Sequence, residues 1–299
     1  MNFNNTFNAA YHHLLSEQTQ KKGERIILII AICSFIIHLI TIGLSYFDVI
    51  HFSKTNGLTN NPIAAIYTPF SFILVYEVYL LIYYLPKSLT IYITKQYEII
   101  LLIIIRRLFK DLSNLTLSSD WFTIKYDLQF TYDLLTSIIL FYLIYLFYKQ
   151  GLKSKNSRLT EEANELGKTR YVKIKKIIAA CLVPVVLVLA VYSFINWFIG
   201  VFKMPEASIE LFKNINNVFF EQFFSLLVIV DVLLLLVSFF YSDQFHKVIR
   251  NSGFIISTIL IRMSFTVEGI MNNALIIVAI VFGLIILVIQ NKFEAQIKQ

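Results

Sequence analysis

Charged residues are scarce in this chain. They make up 15% of its 299 residues, where soluble domains carry about 25%. A further 57% of the residues are hydrophobic, and the mean hydropathy is +0.69. A water-soluble fold of this length has too little surface polarity in such a composition, so a bilayer must serve as part of the solvent. Cysteine is nearly absent. Cys33 and Cys181 both lie in apolar runs, which excludes a disulfide framework or a Cys-based metal spacing. No G-x-x-x-x-G-K-[ST] loop, H-E-x-x-H helix or G-x-S-x-G elbow occurs, and no cofactor is implied. Gly and Pro are also rare, at 9 and 5 residues, while Phe, Tyr, Ile and Leu dominate. That usage fits an AT-rich, bacterial genome, and hence a cytoplasmic (inner) membrane.

The apolar residues are grouped. A spanning helix needs about 20 mostly apolar residues. Segments 26–47, 63–85, 177–201 and 218–241 meet this directly, as do 128–148, with Asp133 near its outer end, and 273–291. Segments 88–109 and 247–267 are weaker. The first contains Lys95, Glu98, Arg106 and Arg107, and the second contains Arg262. Residues 1–25 are polar, so the first apolar run reads as an uncleaved anchor.

Charge decides the weak pair. Basic residues accumulate on the cytoplasmic side. The longest polar stretch, 149–176, sets Lys149, Lys153, Lys155, Arg158, Lys168, Arg170, Lys173, Lys175 and Lys176 against Glu161, Glu162 and Glu165. The N-terminal flank Lys21–Arg25 is basic as well. With both inside, an even number of crossings separates them, which makes 88–109 a span. The same parity makes 247–267 a span. The expected fold is therefore all-α: a polytopic integral membrane protein of about eight transmembrane helices with both termini cytoplasmic. Residues 1–25 form an N-terminal segment, 26–148 a first four-helix unit, 149–176 a basic linker, 177–291 a second four-helix unit and 292–299 a tail. Orientation alone accounts for most of the net charge of +7, so nucleic acid is not implied. The expected partners are the lipid bilayer, anionic headgroups at the linker and a protein that docks there.

The two four-helix units resemble each other. Residues 70–81 (FSFILVYEVYLL) align with 224–235 (FSLLVIVDVLLL), matching Phe70 to Phe224, Ser71 to Ser225 and Glu77 to Asp231. A one-residue insertion in the second copy then matches Lys95 to Arg250 and Arg107 to Arg262. Four helices per copy give two parallel repeats, related by an axis along the membrane normal.

The intramembrane charges are the candidate functional residues: Glu77, Lys95, Glu98, Arg106, Arg107, Glu221, Asp231, Arg250 and Arg262. Such residues are costly in lipid and face a bundle interior or a cavity. Counting outward from turns near Pro86–Ser88 and Tyr241–Gln244 sets Glu77 level with Lys95, Asp231 with Arg250, and Glu221 with Arg262. At 3.6 residues per turn Lys95, Glu98 and Arg106 share one face, expected to point away from lipid. Arg106 and Arg107 are adjacent and share their helix with Glu98, unlike the regularly spaced arginines of a voltage sensor. These features point to transport or conduction of an ion or small solute through a polar interior. The second reading is a non-transporting scaffold or regulatory subunit of a partner complex. Neither is an enzyme.

Overall fold

The structure is a computed structural model, and it describes residues 13–47, 65–112, 125–158, 165–203, 208–241, 244–267 and 269–297. It is 94% helical, with no strand among the described residues. Eight helices of 18 residues or more follow one another. They are α1 (Glu17–Tyr46), α2 (Tyr67–Tyr84), α3 (Leu89–Leu112), α4 (Lys125–Arg158), α5 (Glu165–Lys203), α6 (Ser208–Tyr241), α7 (Phe245–Ser264) and α8 (Ile270–Ile297). Each overlaps one of the eight apolar segments.

By length and composition, among the described residues four of these helices, not eight, qualify to cross a membrane. Their apolar stretches are Glu17–Leu44, Asp127–Leu152, Gln222–Tyr241 and Ile270–Ile297, within α1, α4, α6 and α8. A physical reason is plain in α3, which carries Lys95, Glu98, Arg106 and Arg107 along 24 residues. In α2 the described apolar stretch is Thr68–Tyr84. α5 runs through Pro184 without interruption. A proline inside a helix leaves a carbonyl without its usual donor, which neighbours or local adjustment must satisfy.

The chain divides into two compact units drawn from interleaved stretches. The first comprises Met1–Leu80, Leu102–Leu134 and Cys181–Phe223, and the second Leu81–Leu101, Leu135–Ala180 and Phe224–Gln299.

In the first unit α1 pairs with α2. Gln20 donates to the Tyr76 hydroxyl at 3.0 Å, Tyr79 donates to the Leu14 carbonyl at 2.9 Å, and His38 Nδ1 lies 2.6 Å from Thr68 Oγ1. His38 is thus hydrogen-bonded to a neighbouring helix, which satisfies a polar ring among apolar side chains. Phe70 stacks on Phe109 at 4.9 Å between centroids.

In the second unit one end gathers several chain segments. Lys175 donates to the Lys87 carbonyl at 3.0 Å, and Tyr171 lies against Tyr241 at 6.1 Å. Asn291 donates to the Gln150 carbonyl at 2.9 Å, and His246 stacks on Phe293 at 5.6 Å. The other end of the α6–α7 hairpin is closed by Phe224 stacked on Phe265 at 5.7 Å. The chain leaves α7 for α8 through Gly269, whose φ of 72° lies where a Cβ is disfavoured. α7 and α8 then pack closely: a Cβ on Gly253 would meet Ile286 Cγ1 at 2.9 Å.

Candidate functional site: a buried carboxylate in the second unit

α3 enters the second unit with Tyr92 and Gln96 on one face, because residues four apart stand one turn above each other. Tyr92 is 0% and Gln96 is 3% exposed. Both point at Asp231 of α6, itself 0% exposed. The Tyr92 hydroxyl donates to Asp231 Oδ1 at 2.8 Å, and Gln96 Nε2 donates to Oδ2 at 3.0 Å. Thr258 of α7 is bonded within its own helix. Its hydroxyl hydrogen is directed at the Ile255 carbonyl, 2.9 Å away. A carboxylate this deeply buried is tolerable only with partners on both oxygens, and α3 supplies both.

A second polar node lies beside it. Ser257 of α7 donates to the Ala279 carbonyl of α8 at 2.6 Å. Its single hydrogen is thereby used, so the Tyr97 hydroxyl donates to Ser257 Oγ, 2.7 Å away. Tyr97 reaches that position because α8 carries Gly283 there; a Cβ would overlap the tyrosine hydroxyl. The Tyr97 ring packs edge-on against Phe147 at 5.0 Å, and Phe147 packs against Phe254 at 5.6 Å.

Toward the linker end, two cations are buried. Lys175, 3% exposed, donates to the Lys87 carbonyl and lies over the Tyr171 ring at 4.8 Å. Burial, reinforced by the Arg250 charge and opposed by Asp231, lowers its pKa from 10.5 to about 8. Burial also raises the Tyr171 phenol to about 12. Arg250, 7% exposed, directs Nε and Nη2 at Asn251 Oδ1 at 3.2 and 3.0 Å. The Lys87 ammonium lies over Tyr83 and Tyr84 at 4.4 and 4.3 Å.

Of the residues singled out in the sequence, Asp231 and Arg250 fall within this region of the unit. The others lie elsewhere. Lys95 pairs with Glu98 at 2.5 Å, with side chains 27% and 36% exposed. Of the face shared by Lys95, Glu98 and Arg106, the first two are only part-buried and Arg106 is buried. Tyr92, Gln96 and Tyr97 are more fully buried than Lys95 and Glu98. In the first unit Glu77 is half-buried, Arg106 is buried, and Arg107 is ion-paired with the buried carboxylate of Asp133, with Nη2 at 2.8 Å from Oδ1. Gln129 donates to the same Oδ1 at 2.7 Å. Arg262 donates to Ser225 Oγ at 3.1 Å. Glu221 is part of α6, and its side chain lies outside the described residues.

The expected depth pairing is out of register. Asn251 meets Ser238 at 3.4 Å, and Arg262 meets Ser225, so the residue level with Asp231 is Thr258 rather than Arg250. In the first hairpin Lys95 lies over the Tyr84 ring at 5.3 Å. Tyr84 stands seven residues beyond Glu77 along α2, about 10 Å at 1.5 Å per residue. The count outward from each turn assumed that paired helices end level. The contacts show that they do not. Side chains also lean toward their own helix N-terminus, which adds to the offset.

Tyr92, Gln96, Tyr97, Ser257 and Thr258 do not stand out in the sequence, and Lys175 does so only as one of the linker's basic residues. The usable signal was an amide one turn from a tyrosine, Tyr92 and Gln96, on a hydrophobic helix. Among the described residues no group of three or more His, Cys, Asp and Glu is placed to hold a metal ion. Comparison of the chain with protein families, curated proteins and solved structures finds no match.

Proposed function

We propose that this chain is an eight-span membrane protein that carries an ion or small solute through a polar interior, with Asp231 as the group the solute engages. One observation carries the reading. Asp231 is a fully buried carboxylate within an apolar helix, held by neutral hydrogen-bonding side chains rather than by an ion pair alone. An ionisable residue kept at such a site is a functional candidate by default. It also sits where α3 of the first sequence half meets α6 and α7 of the second. Binding at a repeat interface is a recurring transporter arrangement, a fold-level analogy in support.

Two further observations support the finer architecture. The contacts joining residues 87, 150, 171–175, 241–246 and 291–293 at one end of the second unit agree with eight crossings and with these segments all on the cytoplasmic side. The duplication gains from the partners of an aligned pair: Phe70 stacks on Phe109 and its match Phe224 stacks on Phe265, one position beyond the residue set opposite Phe109. The dipeptides Lys95-Gln96 and Arg250-Asn251 correspond, and both amides are buried.

The test is flux in liposomes of purified protein, measured for protons, Na⁺, K⁺ and common anions. Wild-type protein moves at least one of them, and a folded Asp231→Asn variant does not. Absence of any flux, with Asp231→Asn unable to fold, would make the carboxylate a structural element and leave a scaffold subunit as the better reading.

A further inference from the structure

Positive charge and unspent donors come together at the start of α3. Ser88 caps the helix. Its Oγ accepts the Ile91 N–H at 3.3 Å, and its carbonyl accepts the Tyr92 N–H at 3.0 Å. The leading N–H groups of a helix have no partner within it. Ser88 takes one of them with its side chain, which leaves those of Leu89 and Thr90 at the end of the helix. The aligned peptide dipoles add partial positive charge there. Thr90 supplies an independent observation. It is 6% exposed, and its Oγ1 is buried with no hydrogen-bond partner among the described residues. A helical threonine commonly returns its hydroxyl to the carbonyl four residues back, as Thr94 does to Thr90 at 2.8 Å. The Thr90 methyl is the branch that faces α4, since a Cβ on Gly151 would meet Cγ2 at 3.2 Å. The hydroxyl is the other branch. A buried hydroxyl without a partner is costly, and it marks a place for a ligand atom.

Two ammonium groups flank this turn. Lys87, directly before Ser88, is exposed, and its Nζ lies over the Tyr83 and Tyr84 rings at 4.4 and 4.3 Å. Lys175 of α5 reaches the same turn and donates to the Lys87 carbonyl at 3.0 Å. An ammonium has three donors, and one carbonyl takes one of them. Among the described residues neither lysine forms an ion pair. A buried ammonium held by one neutral acceptor is poorly compensated, and an anion beside it would offset that cost. Tyrosine rings beneath a lysine also suit the membrane–water interface, the level of the headgroup phosphates.

We propose that the start of α3 is a phosphate-binding site, where the Thr90 hydroxyl, the Lys87 and Lys175 ammonium groups and the leading amides of α3 hold one phosphate group. Phosphate suits this donor set. Its several oxygens can accept at once from a hydroxyl, an amide and two ammonium groups that approach from different elements, and a helix N-terminus is a ready anion site. The group is the phosphodiester of an anionic lipid or a soluble phosphate, which present the same oxyanion. The site does not depend on the transport reading, because its donors are not those that hold Asp231.

The experiment uses the full chain in neutral detergent micelles and reads the thermal unfolding midpoint, which rises with a ligand that binds only the folded state. The probes are phosphatidylglycerol, measured against phosphatidylcholine, and inorganic phosphate, measured against chloride at equal ionic strength. At least one probe is expected to raise the midpoint of the wild-type chain. The concentration required is expected to increase about tenfold or more in Thr90→Val and in Lys87→Gln, the low end for loss of a hydrogen bond to a charged group. A response to the lipid alone assigns the headgroup as the source. A response to inorganic phosphate shows that the site takes soluble phosphate. No response to either probe, or equal responses in the wild-type chain and both variants, would overturn the site. Thr90→Val keeps the methyl that faces α4 and removes only the hydroxyl, so without ligand it should be no less stable than the wild type. A clear loss of stability there would also overturn the proposal, because the hydroxyl would then serve the fold. Lys173→Gln removes an equal charge from an exposed position on α5 and should weaken binding far less than Lys87→Gln. Equal weakening would mean diffuse attraction to a basic surface and no site at α3.

Discussion

The Tyr92 hydroxyl donates to Asp231 Oδ1 at 2.8 Å, joining residues 139 positions apart in the chain. Gln96, one turn from Tyr92 on α3, holds the second carboxylate oxygen. The two sequence halves are therefore tied together at a carboxylate with no exposed surface.

Removing one of these donors gives the first prediction. Tyr92→Phe keeps the ring and deletes only the hydroxyl. A hydrogen bond to a charged group contributes about 1.5–3 kcal/mol, and the variant is expected to lose roughly that amount of stability. Gln96→Leu should behave similarly. The check is denaturation in mixed micelles at neutral pH. Because both donors act on one carboxylate, the double variant should depart from additivity. Strict additivity would mean that the two side chains do not share Asp231.

The α3–α8 contact gives a second. A Cβ on Gly283 would overlap the Tyr97 hydroxyl and approach Ser257 Oγ at 3.3 Å. Gly283→Ala is therefore expected to destabilise by about 1–3 kcal/mol, the usual cost of overpacking. Tyr97→Phe removes the overlapping oxygen, so Gly283→Ala should cost less in that background. A thermodynamic cycle over the two sites measures the difference. Equal cost in both backgrounds would show that the glycine serves another contact.

How much of this could be read from the sequence depended on the kind of signal. The helices were legible because each is an apolar run bounded by polar residues, and Glu17–Tyr46 through Ile270–Ile297 fall on those runs. Asp231 was legible because a charge in an apolar helix is conspicuous. Its partners were not. Tyr92 and Gln96 are neutral, and neutral polar residues occur on lipid-facing and buried faces alike. Lys95 and Glu98 misled for the opposite reason: being charged, they were assigned to the interior, yet they satisfy each other at the periphery. Register failed because it depends on how far one helix of a hairpin extends past the other, and no local pattern encodes that.

The ion pair of Arg107 with Asp133 gives a third prediction. The carboxylate is 0% exposed and is also bonded by Gln129, and the guanidinium binds it through two nitrogens. Asp133→Asn keeps the shape and removes the charge, and is expected to cost about 1.5–3 kcal/mol. Arg107→Lys should not preserve stability, because a single ammonium cannot reproduce the fork. Thermal unfolding of the two variants checks this. Wild-type stability in Arg107→Lys would mean that charge alone suffices.

Lys175 gives a pH prediction with a definite sign. In the fold its pKa is lowered from 10.5 to about 8, first by burial and then by Arg250. Between those values the unfolded chain holds the proton and the folded chain does not. Stability therefore rises with pH across that window. Below about pH 8 both states hold the proton and the full penalty of the buried ammonium is present. Tyr171, raised from 10.0 to about 12, acts with the opposite sign above pH 10, so the measurement belongs between pH 8 and 10. Lys175→Met should flatten the rise there. An unchanged slope in that variant would assign the effect to another group.

Topology is open to direct measurement. Four helices meet the requirements for crossing by length and composition, and the eight-span reading rests on charge parity together with the contacts at one end of the second unit. Ser113 follows α3 and Ser157 lies near the end of α4, so a single crossing, that of α4, separates them. With Cys33 and Cys181 replaced first, one cysteine introduced at each position can be labelled by a membrane-impermeant thiol reagent. The two positions should label from opposite sides, Ser157→Cys from the cytoplasmic side. Labelling of both from the same side would mean that α4 does not cross. That would contradict its place among the four helices long and apolar enough to cross and reverse the side assigned to everything beyond it, including the basic linker.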